Sequence, residues 1–86
     1  MDWNNLHVLL VVSREGSLAG AARALGVNHA TISRRLASLE EDVGTGLVRR
    51  LARSTPLTEK GRQIVAFAIE MEERAKKIER LANLQT

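Results

Sequence analysis

The chain has no cysteine and no tyrosine, and only one proline, one tryptophan and one phenylalanine in 86 residues. Without cysteine there can be no disulfide, no thiolate zinc site and no cysteine nucleophile. Aromatic residues make up 2% of the chain, too few for the ring platforms on which single strands and RNA loops stack. The two histidines, His7 and His29, fall on separate predicted helices, so a histidine-rich metal site is not expected and neither a metal nor another cofactor is called for. No apolar run approaches the ~18–20 residues of a membrane helix. The longest spans residues 8–12, and Asp2 stands where a signal peptide carries a basic leader. A cytoplasmic chain with no membrane partner is the expectation. Thr31 and Ser33 could each be taken for a nucleophile, but neither has a base or an acid to orient it, so no enzyme is expected.

What is present is ordinary for one soluble globular domain: 44% hydrophobic and 27% charged residues. The length leaves no room for a further ligand-binding domain of ~100–150 residues. The net charge is only +3, but its distribution is uneven. Residues 16–39 hold Arg23, Arg34 and Arg35 and no acid. Residues 43–58 hold Arg49, Arg50 and Arg53 and no acid. Glu40, Glu41 and Asp42 lie between the two basic segments and read as a solvated helix end. Arginine's planar fork suits phosphates and guanine edges better than the point charge of lysine.

Periodicity predicts four helices. Trp3, Leu6 and Leu10, with Leu9 and Val12 beside them, mark a first helix over 3–15, capped by Asp2 and stopped by Gly16. Ser17 caps a short second helix in which Leu18, Ala21, Ala22 and Leu25 follow the i, i+3, i+4, i+7 pattern, and Gly26 ends it. Asn28 caps a third helix over 29–43. Its inward stripe is Ile32, Leu36, Leu39 and Val43, and its outward face carries Ala30, Arg34, Ala37 and Glu41. Gly44 and Gly46 stop it. Leu47-Val48 and Thr55-Pro56-Leu57 read as two short strands joined by a tip over 49–54; Pro56 confines its strand to a short or edge position. Thr58 caps a long last helix over 58–83. In it Ile64, Ala68, Met71, Ala75, Ile78 and Ala82 step by 4 and 3 in turn, which is a heptad seam. The expected fold is therefore mostly α, in the order α-α-α-β-β-α, with a reading unit over 1–57 and a pairing helix over 58–86.

Helix, glycine-containing turn and helix over 17–43 have the lengths of a helix-turn-helix. Small residues let the two helices pack closely, and the inward stripe frees the outward face of the third helix to enter a major groove. That helix has no acid from 29 to 39, and an acid there would repel phosphates. A basic hairpin beyond it is the shape of a wing, able to lie along phosphates or to reach a minor groove. Two other readings compete: a helical module that binds a partner coiled coil through the last helix, and a small bundle with an accidental charge pattern.

With these segments in hand the sequence resembles the N-terminal DNA-binding domain of LysR-type transcriptional regulators. The resemblance runs from Trp3 to Ile64, through LHVLLVVSREGSLAGAARALGVNHATISRRLASLEEDVGTGLVRR and, after the hairpin, PLTEKG. It implies a winged helix-turn-helix that binds double-stranded operator DNA at the bacterial nucleoid, pairs as a homodimer through the last helix, and normally continues into an effector-binding domain that supports higher oligomers. Carried over position by position, Asn28, His29, Ala30 and Thr31 open the helix that reads bases. Ser33 and Arg34 face the groove, Ser17 offers the start of the second helix to a phosphate, and Arg50 and Arg53 occupy the wing. The dimer seam falls on Ile64, Ala68, Met71, Ala75, Ile78 and Ala82. Glu40 is implied to pair with Arg50. The family often has glutamine then proline where this chain has His29-Ala30. Glutamine can grip adenine bidentately, whereas a neutral histidine offers one donor and one acceptor.

Overall fold

The computed structural model describes residues 1–84 and contains four helices: α1 (Trp3–Glu15), α2 (Leu18–Leu25), α3 (His29–Val43) and α4 (Glu59–Leu84). The first three begin as their capping residues predict. The side chains of Asp2, Ser17 and Asn28 accept hydrogen bonds from the backbone N–H groups of Asn4, Gly20 and Thr31. Each of these helices ends at a glycine with positive φ (Gly16, Gly26, Gly44), a conformation that a Cβ disfavours.

α1 is the centre of the fold. Leu6, Val8, Leu9, Leu10, Val11 and Val12 are all buried, so the helix is covered on nearly every side, and α2, α3 and α4 each pack against it. α3 is held by Ile32, Leu36 and Leu39, all at 0% exposure, with Val43 packed at the edge of the core. Burial of three such side chains contributes on the order of 5–9 kcal/mol before entropy is counted. The inward stripe expected for the third helix is the one observed, and substitutions on its other face leave this anchor intact.

The two strands expected between α3 and α4 do not form as strands. A single antiparallel bridge joins Val48 and Leu57. Its backbone hydrogen bonds run from Arg49 N–H to Pro56 O (2.8 Å) and from Thr58 N–H to Leu47 O (2.9 Å), with Leu51 N–H to Ser54 O (3.1 Å) closing the turn. The ladder cannot extend toward the tip because the return bond to Arg49 O would have to come from Pro56, which has no N–H. At the other end the Leu47 N–H is already donated to a carboxylate oxygen of Glu40.

α4 packs on α1 and, among the described residues, on no other helix. Its first turns belong to the same core as α1–α3, which includes Val65 and Ala68, so hydrophobic packing runs on across the expected division at 57/58. Gly61 sits under the hairpin base: a Cβ there would lie 2.0 Å from Leu47 O and 3.0 Å from Leu47 C. Farther along, Glu72 is tied across to α1. Arg14 donates to both its oxygens (3.1 and 2.7 Å), and Lys76 Nζ lies 3.8 Å away. The hydrogen bond from Arg14 holds the Glu72 carboxyl below the usual carboxylate range.

Because backbone, not a mobile side chain, occupies the space beside Gly61, Gly61→Ala is expected to destabilise the fold by about 3 kcal/mol through overpacking. Chemical denaturation of the variant beside the parent measures this, and an unchanged midpoint would show that the α4–hairpin contact yields freely.

Candidate nucleic-acid interface

The outward face of α3 is organised from its first turn. Asn28 Oδ1 accepts from the Thr31 N–H (2.8 Å) and from the Thr31 hydroxyl (2.9 Å), and Arg34 Nη2 donates to Thr31 Oγ1 (3.3 Å). Asn28, Thr31 and Arg34 therefore form a connected row at i, i+3 and i+6. The cap that starts the helix also steers the hydroxyl, and the hydroxyl steers the guanidinium. His29, Ala30 and Arg34 are exposed, and Thr31 and Ser33 are half-buried.

A cleft of about 160 Å³ joins the start of α2, the start of α3 and the turn after the bridge; Ser17, Ala19, His29, Leu51, Arg53 and Thr55 are among its lining residues. The fold thus gathers Ser17, His29 and Arg53, which are far apart in sequence. Ser17 Oγ is engaged as the α2 cap. The turn is held in place by Thr55, 4% exposed: its N–H donates to Gly16 O (2.9 Å) and its hydroxyl accepts from Leu18 N–H (3.2 Å).

Arg50 is not among the residues lining this cleft. Its Nη2 donates to Glu40 Oε1 (3.2 Å), while Glu40 Oε2 takes the Leu47 N–H (2.7 Å) and lies 3.5 Å from the Val48 nitrogen. The acidic trio is therefore not one solvated end. Glu41 and Asp42 are exposed, but Glu40 is half-buried and ties the last turn of α3 to the hairpin base. Thr55 escaped sequence reasoning because its partners, Gly16 and Leu18, lie far away in the chain and leave no local signal. Glu40 had a signal only through the resemblance.

The six residues of the heptad seam do not share one environment. Ala68 is fully buried against the core, Ile64 and Ala75 are half-buried, and Met71, Ile78 and Ala82 are exposed. The buried face of the helix runs from Gly61, under the hairpin base, through Val65, Ala68, Glu72 and Ala75. Beside it an apolar stripe of Phe67, Met71, Ile78 and Leu81 stands exposed, with Phe67 at 66% and Ile78 at 67%. The 4-and-3 spacing runs along the boundary between these two faces.

The fold and the face just described are those of a regulatory helix-turn-helix unit, and residues 3–62 match the family described as bacterial regulatory helix-turn-helix protein, lysR family. The chain belongs to the lysR family, a class of transcription regulators and not of enzymes. It is 39% identical over 81 residues to an uncharacterized HTH-type transcriptional regulator of Mycobacterium tuberculosis (strain ATCC 25618 / H37Rv), a match covering 93% of this chain and 26% of that protein. It is 43% identical over 61 residues to the HTH-type transcriptional regulator BudR of Klebsiella aerogenes, covering 71% of this chain and 43% of that protein. The chain thus spans about a quarter of the length of the mycobacterial relative. Among solved structures, the CbnR_DBD–DNA complex superposes with a TM-score of 0.89 at 28% identity, over 99% of this chain and 98% of that one. Full-length LysG from Corynebacterium glutamicum superposes with a TM-score of 0.86 at 32% identity, over 99% of this chain and 30% of that one.

Glu40→Ala removes the acceptor of a buried backbone N–H and the partner of Arg50. A loss of about 2 kcal/mol in unfolding free energy is expected, with Glu40→Gln losing less because its amide oxygen can still accept. Urea unfolding of both variants measures it, and equal losses would mean that the carboxylate's hydrogen bonding contributes nothing beyond its charge.

Proposed function

We propose that this chain binds double-stranded DNA and directs a transcription regulator to its operator. The observation that carries the reading is the outward face of α3: exposed, free of acids from His29 to Leu39, and organised by the Asn28–Thr31–Arg34 row. α3 enters the major groove with Asn28, His29, Ala30, Thr31, Ser33 and Arg34 toward bases and phosphates. The hairpin acts as a wing, with Arg53 beside Ser17 at the backbone or minor groove and Arg50 at its base. The relative in the CbnR_DBD–DNA complex supports the reading, because its chain is matched nearly end to end.

The reading has two functional parts, a DNA-reading unit over residues 1–57 and a pairing helix over 58–86. Two copies pair through α4 so that their α3 helices meet two half-sites. The exposed stripe of Phe67, Met71, Ile78 and Leu81 supplies the apolar contact, with Ile64 at its edge.

The direct test is selection from a pool of random duplex DNA at two salt concentrations. Enrichment of a two-fold-related sequence that binds more weakly as salt rises is expected. No binding at low salt would sink the reading. Arg34→Ala is expected to weaken the selected site by about 1–3 kcal/mol. Its side chain lies outside the core, so the loss reports on DNA contact and not on folding; equal affinity at fixed salt would remove Arg34 from the interface. Ile78→Glu is expected to abolish pairing in analytical ultracentrifugation and to leave single half-site binding within about twofold. A variant that still pairs would place the seam elsewhere.

A further inference from the structure

The contact between α1 and α4 is apolar at its start, where Val65 and Ala68 are buried, and then changes character. Between Ile69 and Asn83 the only residues of α4 that are not exposed are Glu72 and Ala75. At Glu72 a carboxylate with 15% of its side chain exposed is gripped at both oxygens by Arg14 of α1, with Lys76 at 3.8 Å and His7 Nε2 at 4.0 Å. His7 in turn lies beside Trp3, ring centroids 6.0 Å apart. Four polar groups from two helices thus converge where apolar packing runs out. A two-pronged guanidinium–carboxylate pair fixes orientation as well as distance, which an alanine surface cannot do.

We infer that the Arg14–Glu72 pair is a positioning clamp that fixes the angle of α4 to the DNA-reading body and thereby sets which half-site spacing a pair of chains accepts. The inference rests on the reading proposed above. The lever is long: twelve residues follow Glu72 to the end of α4, about 18 Å at 1.5 Å per residue. A tilt of roughly 10° at the clamp moves that end by about 3 Å, close to the ~3.4 Å step of one base pair. A loose clamp would therefore admit neighbouring spacings, and a firm one selects among them. Neither Arg14 nor Glu72 belongs to the proposed DNA-reading face, so the effect falls on spacing and not on the half-site itself.

The test uses the full chain and the variants Glu72→Gln, Arg14→Gln and Arg14→Lys, in two experiments. In the first, each protein selects from duplexes carrying two inverted half-sites separated by spacers of varied length, and binding to a single half-site is measured beside it. The parent is expected to prefer one spacing. Glu72→Gln and Arg14→Gln should flatten that preference about fivefold while single half-site affinity stays within twofold, and Arg14→Lys, which keeps the charge but not the fork, should fall between. An unchanged spacing preference, or half-site affinity falling in step with it, overturns the clamp.

The second experiment needs no DNA and separates this inference from the DNA-binding reading. Because the chain has no cysteine, Asp42→Cys and Arg80→Cys give two clean spin-label sites on exposed positions of α3 and α4, diluted with unlabelled chain. A narrow distance distribution in the parent that broadens in Glu72→Gln and in Arg14→Gln supports the clamp, and a distribution that stays narrow in both overturns it. Absence of DNA binding by the parent would count against the proposed function and leave the distance measurement to decide the clamp.

Discussion

Everything in this fold leans on α1. Six of its residues between Leu6 and Val12 are buried, and all three other helices rest on it. A helix that is apolar on nearly every side cannot be a surface helix; it must be enclosed, and among the described residues three helices and the hairpin base are available to enclose it. That constraint decides which face of each neighbour is spent inward. α3 commits Ile32, Leu36 and Leu39 and keeps its other face free, so the face proposed to read DNA is set by the composition of the helix packed behind it.

The helices and the hairpin are fixed by different physics. α1, α2 and α3 are locked by apolar contact, which is strong but weakly directional. The segment between α3 and α4 has little apolar surface to bury beyond Leu47, Val48 and Leu57, and Pro56 denies it a regular ladder. Its position comes from directional ties instead. Glu40 receives the Leu47 N–H and Arg50 at the base, Thr55 links Gly16 and Leu18 near the tip, and Thr58 donates to Gly46 O while accepting from Gly61 N–H. These bonds span the last turn of α3, the corner between α1 and α2 and the first turn of α4. They bring Arg53 beside Ser17 and His29 with a register that apolar packing alone would not specify.

This difference also explains what could be read from the sequence. Helix ends were legible because caps act over three residues: Asp2, Ser17 and Asn28 at one end, Gly16, Gly26 and Gly44 at the other. The α3 stripe was legible because its period is local. The strands were not, since their failure depends on which N–H each partner would need, and Leu47 gives its own to a carboxylate seven positions back. The heptad on α4 was legible as a spacing, but the surroundings of its residues were not. Its 4-and-3 spacing is real, but only the placement of α1 reveals that Ala68 and Ala75 turn inward while Phe67 and Leu81, outside the seam, turn out. Of the candidate interface, the face of α3 was legible. The Asn28–Thr31–Arg34 row and the cleft shared by Ser17, His29 and Arg53 emerged only in three dimensions.

The charge pattern gains a sharper meaning from the same geometry. Glu40 is the first acid after eleven acid-free positions in α3, and left unpaired it would set a negative charge beside the basic hairpin. It is instead half-buried, with both oxygens accepting hydrogen bonds and Arg50 as its counter-charge. Glu41 and Asp42 are exposed at the far end of the helix, fifteen residues long, from the Asn28 cap. At 1.5 Å per residue that puts Glu41 about 20 Å from the cap and about 10 Å along the axis from Arg34, both beyond the ~8 Å over which exposed charges act at physiological salt. The chain can therefore carry three consecutive acids and a net charge of only +3, yet keep a face on which, among the described residues, Arg34 and Arg53 pair with no carboxylate. What matters electrostatically is where the acids are neutralised, and here one is neutralised by the same pair that fixes the hairpin.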